Sequence, residues 1–172
     1  MSEQKENQEN KLVITRTLDA PRELVWKAWS DPKALAEWWG PKEFELGVHK
    51  LEFKPGGEFH YSMKAHNGFE MWGKFTYKEI AAPEKIVFTS SFSNEKGEIT
   101  RAPFFDGKWP LEILNTMILT EENDKTILTL TGGPINSTDE ELQVFEGNRK
   151  SMQQGFAGTF EKLDQYLEKN KQ

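Results

Sequence analysis

Residues Asp19 to Pro41 constrain the fold most, because they interrupt a β-rich chain with helix. Pro21 pre-sets φ for a first helical turn. Leu24, Val25, Ala28 and Trp29 then form an apolar stripe of helical period. Asp31-Pro32 restarts the helix, with Asp31 as N-cap and Pro32 at the first helical position. Leu35, Trp38 and Trp39 continue the stripe, and Gly40-Pro41 ends it. The spacing predicts two short helices that end in an aromatic pair, Trp38-Trp39, which reads as exposed. A helical pair between a first strand and a long run of strands suggests a sheet gripping a helix around a hollow.

The first strand is Lys11 to Leu18, with Leu12, Ile14 and Arg16 on one face and Val13 and Thr15 on the other. After the helical pair, Phe44, Leu46 and Val48 alternate on even positions and Leu51 and Phe53 on odd ones. That change of parity predicts a bulge near His49-Lys50. Pro55-Gly56-Gly57 is a tight turn. Phe59, Tyr61 and Met63 then point inward, and His60, Ser62 and Lys64 outward. Met71, Gly73, Phe75 and Tyr77 repeat the alternation after a turn at His66-Asn67-Gly68. Later strands are marked by Ile86, Phe88 and Phe92, by Leu111 to Leu119, and by Ile127 to Thr131. Consecutive strands with short turns predict an antiparallel meander. Ser93 to Pro110 is long for a hairpin connection and carries Phe104, Phe105 and Trp109. It is either a small aromatic core tethered to the sheet edge or a lid over a pocket mouth.

A long helix closes the chain. Ser137 and Glu140 have capping-box spacing. Leu142, Phe145, Met152, Phe156, Phe160, Leu163 and Leu167 hold a helical period. Gly147, Gly155 and Gly158 interrupt it, which predicts a kink or a wall of closely approached backbone. Arg149 falls inside the apolar stripe between Phe145 and Phe156. It is either an edge residue in a salt bridge or an anchor for an anion inside the hollow.

A chain of 172 residues with 36% hydrophobic and 29% charged residues fits one soluble domain, expected over residues 11–169. Residues 1–10 lack an apolar core, so they read as a disordered, solvated tail rather than a secretory signal. The net charge of −6 argues against nucleic acid and anionic membrane as partners. No stretch is apolar for long enough to span a bilayer. The lack of cysteine excludes disulfides and thiol catalysis and fits a cytoplasmic location. The chain shows no metal-ligand spacing, no nucleophile elbow and no phosphate loop, so no cofactor or metal is expected. With one internal core accounting for the apolar stripes, a monomer is expected.

Several motifs in order resemble the superfamily of START and birch-allergen-like proteins. They are Asp19-Ala-Pro-Arg-Glu-Leu-Val-Trp26, Asp31-Pro32, Trp38-Trp39-Gly40-Pro41, Pro55-Gly-Gly-Glu-Phe59 and Ala82-Pro-Glu-Lys-Ile-Val-Phe88. They are most similar to the branch named after the C-terminal domain of the activator of the heat-shock-protein-90 ATPase. Lys54 and Phe156 stand where that pattern usually has Arg and Trp. The resemblance implies an α+β helix-grip fold, in which a curved antiparallel sheet of six to seven strands wraps a long C-terminal helix around an internal cavity. Single-domain relatives lack the separate region that stimulates the chaperone, so the resemblance does not by itself imply chaperone work.

The expected function is binding of a small hydrophobic or aromatic molecule, an anionic one if Arg149 is an anchor. The expected lining is Trp39, Phe59, Tyr61, Phe75, Tyr77, Phe88, Trp109, Arg149, Met152 and Phe156. No catalytic residue is assigned. One alternative is an enzyme similar to polyketide cyclases and aromatases, with Tyr61, Tyr77, His60 and Arg149 as the available polar groups. Another is a co-chaperone-type interaction module, which would bring a chaperone partner. Cavity size and the convergence of polar groups discriminate between these readings.

Overall fold

The structure is a computed structural model that describes residues 11–171; the expected tail at 1–10 lies outside them. In chain order the elements are β1 (Leu12–Leu18), α1 (Arg22–Ser30), α2 (Pro32–Trp38), β2 (Phe44–Leu51), β3 (Glu58–Ala65), β4 (Glu70–Ala81), β5 (Lys85–Ser93), β6 (Ile99–Thr100), β7 (Glu112–Glu122), β8 (Lys125–Ile135), α3 (Asp139–Gly147) and α4 (Arg149–Asn170). The eight strands form one antiparallel sheet in the order β1-β8-β7-β5-β4-β3-β2, with the short β6 paired to β5. The meander thus runs from β2 to β8, and β1 returns to pair with β8 along its whole length.

The helical pair forms as its local chemistry dictates. Pro32 stands at the start of α2, and the Asp31 carboxylate accepts from the Lys33 N–H at 3.1 Å. The Trp38-Trp39 pair, however, is core rather than surface. Trp38 is fully buried, and its indole N–H donates to the Ala28 carbonyl at 2.9 Å. That bond removes the only polar reason for the ring to stay in water. Trp39 is half-buried and meets Phe75 edge to face at 5.1 Å.

The parity change in β2 is a register shift between Val48 and Lys50. Phe59, Tyr61 and Met63 point into the core, as the alternation requires. His60 and Ser62 lie on the opposite face but are buried, which the alternation did not predict. Ser62 is covered by His49 of β2, whose Nε2 lies 2.9 Å from its hydroxyl, and His60 by the 93–110 segment, whose first part is a β5–β6 hairpin folded over the convex face. Its tip accepts from His60 Nε2 at the Asn94 carbonyl (3.1 Å) and from Lys74 Nζ at the Gly97 carbonyl (3.0 Å). His60 also stacks on Trp72 at 5.2 Å.

The C-terminal helix is two helices. The capping box is Thr138 with Glu141, one residue later than Ser137 with Glu140. The Thr138 hydroxyl accepts from the Glu141 N–H, and the Glu141 carboxylate accepts from the Thr138 N–H. The chain breaks at Gly147-Asn148 and restarts with α4, whose buried face of Phe160, Leu163 and Leu167 crosses the concave side of the sheet. Arg16 of β1 reaches Asp164 of α4 at 2.6 Å and ties the edge strand to the helix. Gly155 has open space where a Cβ would be, and Gly158 meets only the flexible Lys42 side chain, so neither marks a close backbone approach.

Candidate functional site

A cavity of about 190 Å³ lies between the concave face of the sheet and the helices on either side of the Gly147-Asn148 break. Tyr61, Gly73, Ser90, Asn115 and Gly132 form its floor, from five adjacent strands. Phe145 of α3 with Met152 and Phe156 of α4 forms its roof. Trp109 and Pro110 border it from the segment before β7. No residue of its lining carries a formal charge.

The floor is built around two glycines. A Cβ on Gly132 would stand 2.7 Å from Asn115 Oδ1, and one on Gly73 would stand 2.7 Å from the Tyr61 hydroxyl. Any larger residue at either place would push a polar side chain away from the sheet. The buried Asn115 turns its amide nitrogen to Ser90 Oγ (3.0 Å), the Ile113 carbonyl (3.2 Å) and the Phe88 carbonyl (3.5 Å). Asn115 Oδ1 and the Ser90 hydroxyl proton find no partner in hydrogen bonds among the described residues.

Burial pushes the Tyr61 phenol up to about 12, against a smaller downward pull from its hydrogen bond with the Trp39 indole. Tyr77 is raised as well, first by burial and then by Tyr61. Both side chains are neutral donors at pH 7, not bases. Because the folded state favours the neutral phenol, Tyr61 contributes stability that is whole below its ordinary value of 10.0 and is lost as pH rises towards about 12. A titration of phenolate absorbance should therefore show these tyrosines ionising only above pH ~10, together with loss of native structure. Ionisation at the ordinary value in a folded protein would contradict the burial described.

The structure separates the expected lining residues into three groups. Tyr61, Trp109, Met152 and Phe156 line the cavity. Trp39, Phe59, Phe75, Tyr77 and Phe88 pack in the core beside it, with Phe75 stacked on Phe88 at 4.3 Å. Arg149 starts α4, is half-buried and does not border the cavity. Its place in the stripe assumed one continuous helix, and the break at Asn148 changes the wheel before α4 begins. The four polar groups considered for catalysis do not converge, since His60 is on the convex face, Tyr77 is in the core and Arg149 is off the cavity. Among the described residues no cluster of His, Asp and Glu is placed to hold a metal ion, and no helix is long and apolar enough to cross a membrane.

Sequence reasoning missed Asn115, Ser90, Gly73 and Gly132. A signal for the first was present. Asn115 interrupts the inward row Ile113, Met117, Leu119, and a polar residue in a buried row needs a reason.

The second half of the 93–110 segment builds the small aromatic core expected of it. Phe92, Phe104, Phe105, Trp109 and Phe145 form a chain of ring contacts between 5.0 and 5.7 Å. Trp109 is at once part of that aromatic core and of the cavity wall. Arg101 bridges to Glu141 at 2.6 Å, which ties the segment to the first turn of α3. The hydrogen bond with the Thr138 backbone is the first cause holding the Glu141 carboxyl below its usual value, and Arg101 adds to it.

Solved structures share this fold. A protein from Arthrobacter aurescens, solved by NMR in solution, is 26% identical, with a TM-score of 0.78 over 95% of this chain and 88% of that one. A Mycobacterium smegmatis protein is 24% identical, with a TM-score of 0.74 over 92% of this chain and 91% of that one. A Nitrosomonas europaea protein is 21% identical, with a TM-score of 0.75 over 95% of this chain and 97% of that one. Among curated proteins none matches the chain. The family model described as activator of Hsp90 ATPase homolog 1-like protein matches residues 19–168, nearly the whole described chain, and this protein belongs to that family.

Proposed function

We propose that this protein binds a small hydrophobic or aromatic molecule in the cavity between sheet and helices, and performs no chemistry on it. The observation that carries this reading is the lining: a concave aromatic and aliphatic wall with a few polar groups gathered on one side. Binding is favoured over catalysis by the chemistry of those groups. Asn115 and Ser90 do not titrate near neutrality, and Tyr61 holds its proton to about pH 12, so none is poised to take a proton at pH 7. The absence of a lining charge argues against an anionic ligand, because a carboxylate would lose its hydration without gaining a counter-charge.

Native mass spectrometry of protein purified from its own host tests the reading. The expected result is a fraction heavier than the 19.9 kDa chain by one small molecule, released on denaturation. A bare chain under gentle conditions, with no affinity for any small aromatic in solution, would contradict it.

A further inference from the structure

We infer that the ligand is a neutral molecule of about one aromatic ring that carries a hydroxyl or amide group, read by Ser90 and Asn115. This deepens the binding function proposed above and rests on it. Three observations combine.

The first is size. The cavity holds about 190 Å³. An apolar protein cavity of about 150 Å³ is already large enough to take benzene. One ring with a short substituent fills that space, and any longer part of a ligand would have to lie outside it.

The second is the arrangement of hydrogen-bonding atoms. Asn115 Nδ2 donates to Ser90 Oγ at 3.0 Å, which fixes both side chains. With its oxygen engaged as acceptor, Ser90 offers its hydroxyl proton. Asn115 uses only its nitrogen in the bonds it makes, so its Oδ1, lying over Gly132, offers an acceptor. Side by side, these make one donor and one acceptor on a wall that is otherwise mostly apolar. The complementary group both accepts and donates, as a hydroxyl or an amide does. A plain hydrocarbon would leave both protein atoms dry and unpaired, which is costly in a buried site.

The third is charge. None of the lining residues could balance an ion, so the ligand enters neutral. Gly132 has a role in this recognition, because a Cβ there would stand 2.7 Å from the acceptor oxygen.

The test compares three probes of similar size, namely phenol, toluene and benzoate, titrated at pH 7 and read by the amide resonances of Gly73 and Gly132. Phenol should bind more tightly than toluene, and benzoate should give no saturable shift. In Asn115→Leu the ratio of phenol to toluene affinity should fall by about tenfold, the value of roughly one lost hydrogen bond. Ser90→Ala should shift the ratio in the same direction, and it keeps the test usable if Asn115→Leu fails to fold. Toluene binding as tightly as phenol would overturn this inference and leave the cavity reading standing. Benzoate binding as tightly as phenol would overturn neutrality. Failure of all three probes would overturn the cavity reading, and this inference with it.

Discussion

Phe75→Ala is expected to cost about 3–5 kcal/mol in a urea denaturation experiment, while Phe156→Ala should cost clearly less, about 1–2 kcal/mol. The two rings are equal in size and lie in the same half of the molecule. They differ in what surrounds them. Phe75 is only 2% exposed and is held by Phe88 at 4.3 Å, Trp39 at 5.1 Å and Phe59 at 5.2 Å. Removing it leaves a cavity among rings that are locked by one another and cannot collapse. Phe156 is half-buried, touches Trp39 and Phe160 at 6.3 and 5.7 Å, and has the cavity on its other side. Its loss enlarges a hollow that already exists and removes fewer contacts. Equal costs would mean that the space beside Phe156 is filled, and the ligand reading would lose its structural basis.

Gly57→Ala, in the turn before β3, is expected to cost about 3 kcal/mol or more, whereas Gly56→Ala next to it should cost about 1–2 kcal/mol. A Cβ on Gly57 would lie 2.1 Å from the Glu52 carbonyl oxygen, a backbone atom that cannot swing aside. The same turn is docked on β4, with the Gly56 N–H donating to the Tyr77 carbonyl at 2.8 Å and the Tyr77 N–H to the Gly57 carbonyl at 3.0 Å. Relief of the clash therefore disturbs the strand that carries Gly73 and Phe75. Gly56 faces open space, and its cost comes only from a φ of +84° that disfavours a side chain. Thermal or urea denaturation of the two variants separates these causes. Near-equal losses would place the clash elsewhere.

What could be read from the sequence depended on how local the cause was. Asp31-Pro32 and the Val48/Lys50 shift rest on neighbouring residues, and both appear where the pattern placed them. The capping box shows where local rules become ambiguous. Ser137-x-x-Glu140 and Thr138-x-x-Glu141 are offset by one residue, and long-range partners separate them: half-exposed Arg101 holds the buried Glu141 at 2.6 Å, while the exposed Glu140 meets Lys108 only at 3.5 Å. His60 and Ser62 point outward as their parity requires, but the burial of His60 depends on a hairpin 34 residues away at Asn94, and that of Ser62 on His49 across the β2–β3 pair. Alternation along one strand carries no information about what later covers it.

The cavity floor was the hardest part to see, for the same reason. Tyr61, Gly73, Ser90, Asn115 and Gly132 come from five strands and meet only through sheet register, with Gly73 opposite Tyr61 and Gly132 opposite Asn115. A strand-by-strand reading selects the large aromatic residues, and most of those turned out to be the packed core that shapes the hollow. Arg149 falls on the edge-residue side of its two expectations, off the cavity. The helix stops and restarts at Asn148, so one helical wheel does not run from Phe145 to Arg149.

The central claim is that a small aromatic molecule occupies the space between sheet and α4. Intermolecular nuclear Overhauser effects from bound toluene test it most directly, because they locate the ligand rather than only detecting it. Contacts are expected from toluene to the methyl groups of Met63 and Met152 and to the ring of Phe156, all of which line the cavity. Contacts confined to the exposed rings of Phe104 and Phe105, or to the convex face around Trp72, would contradict it.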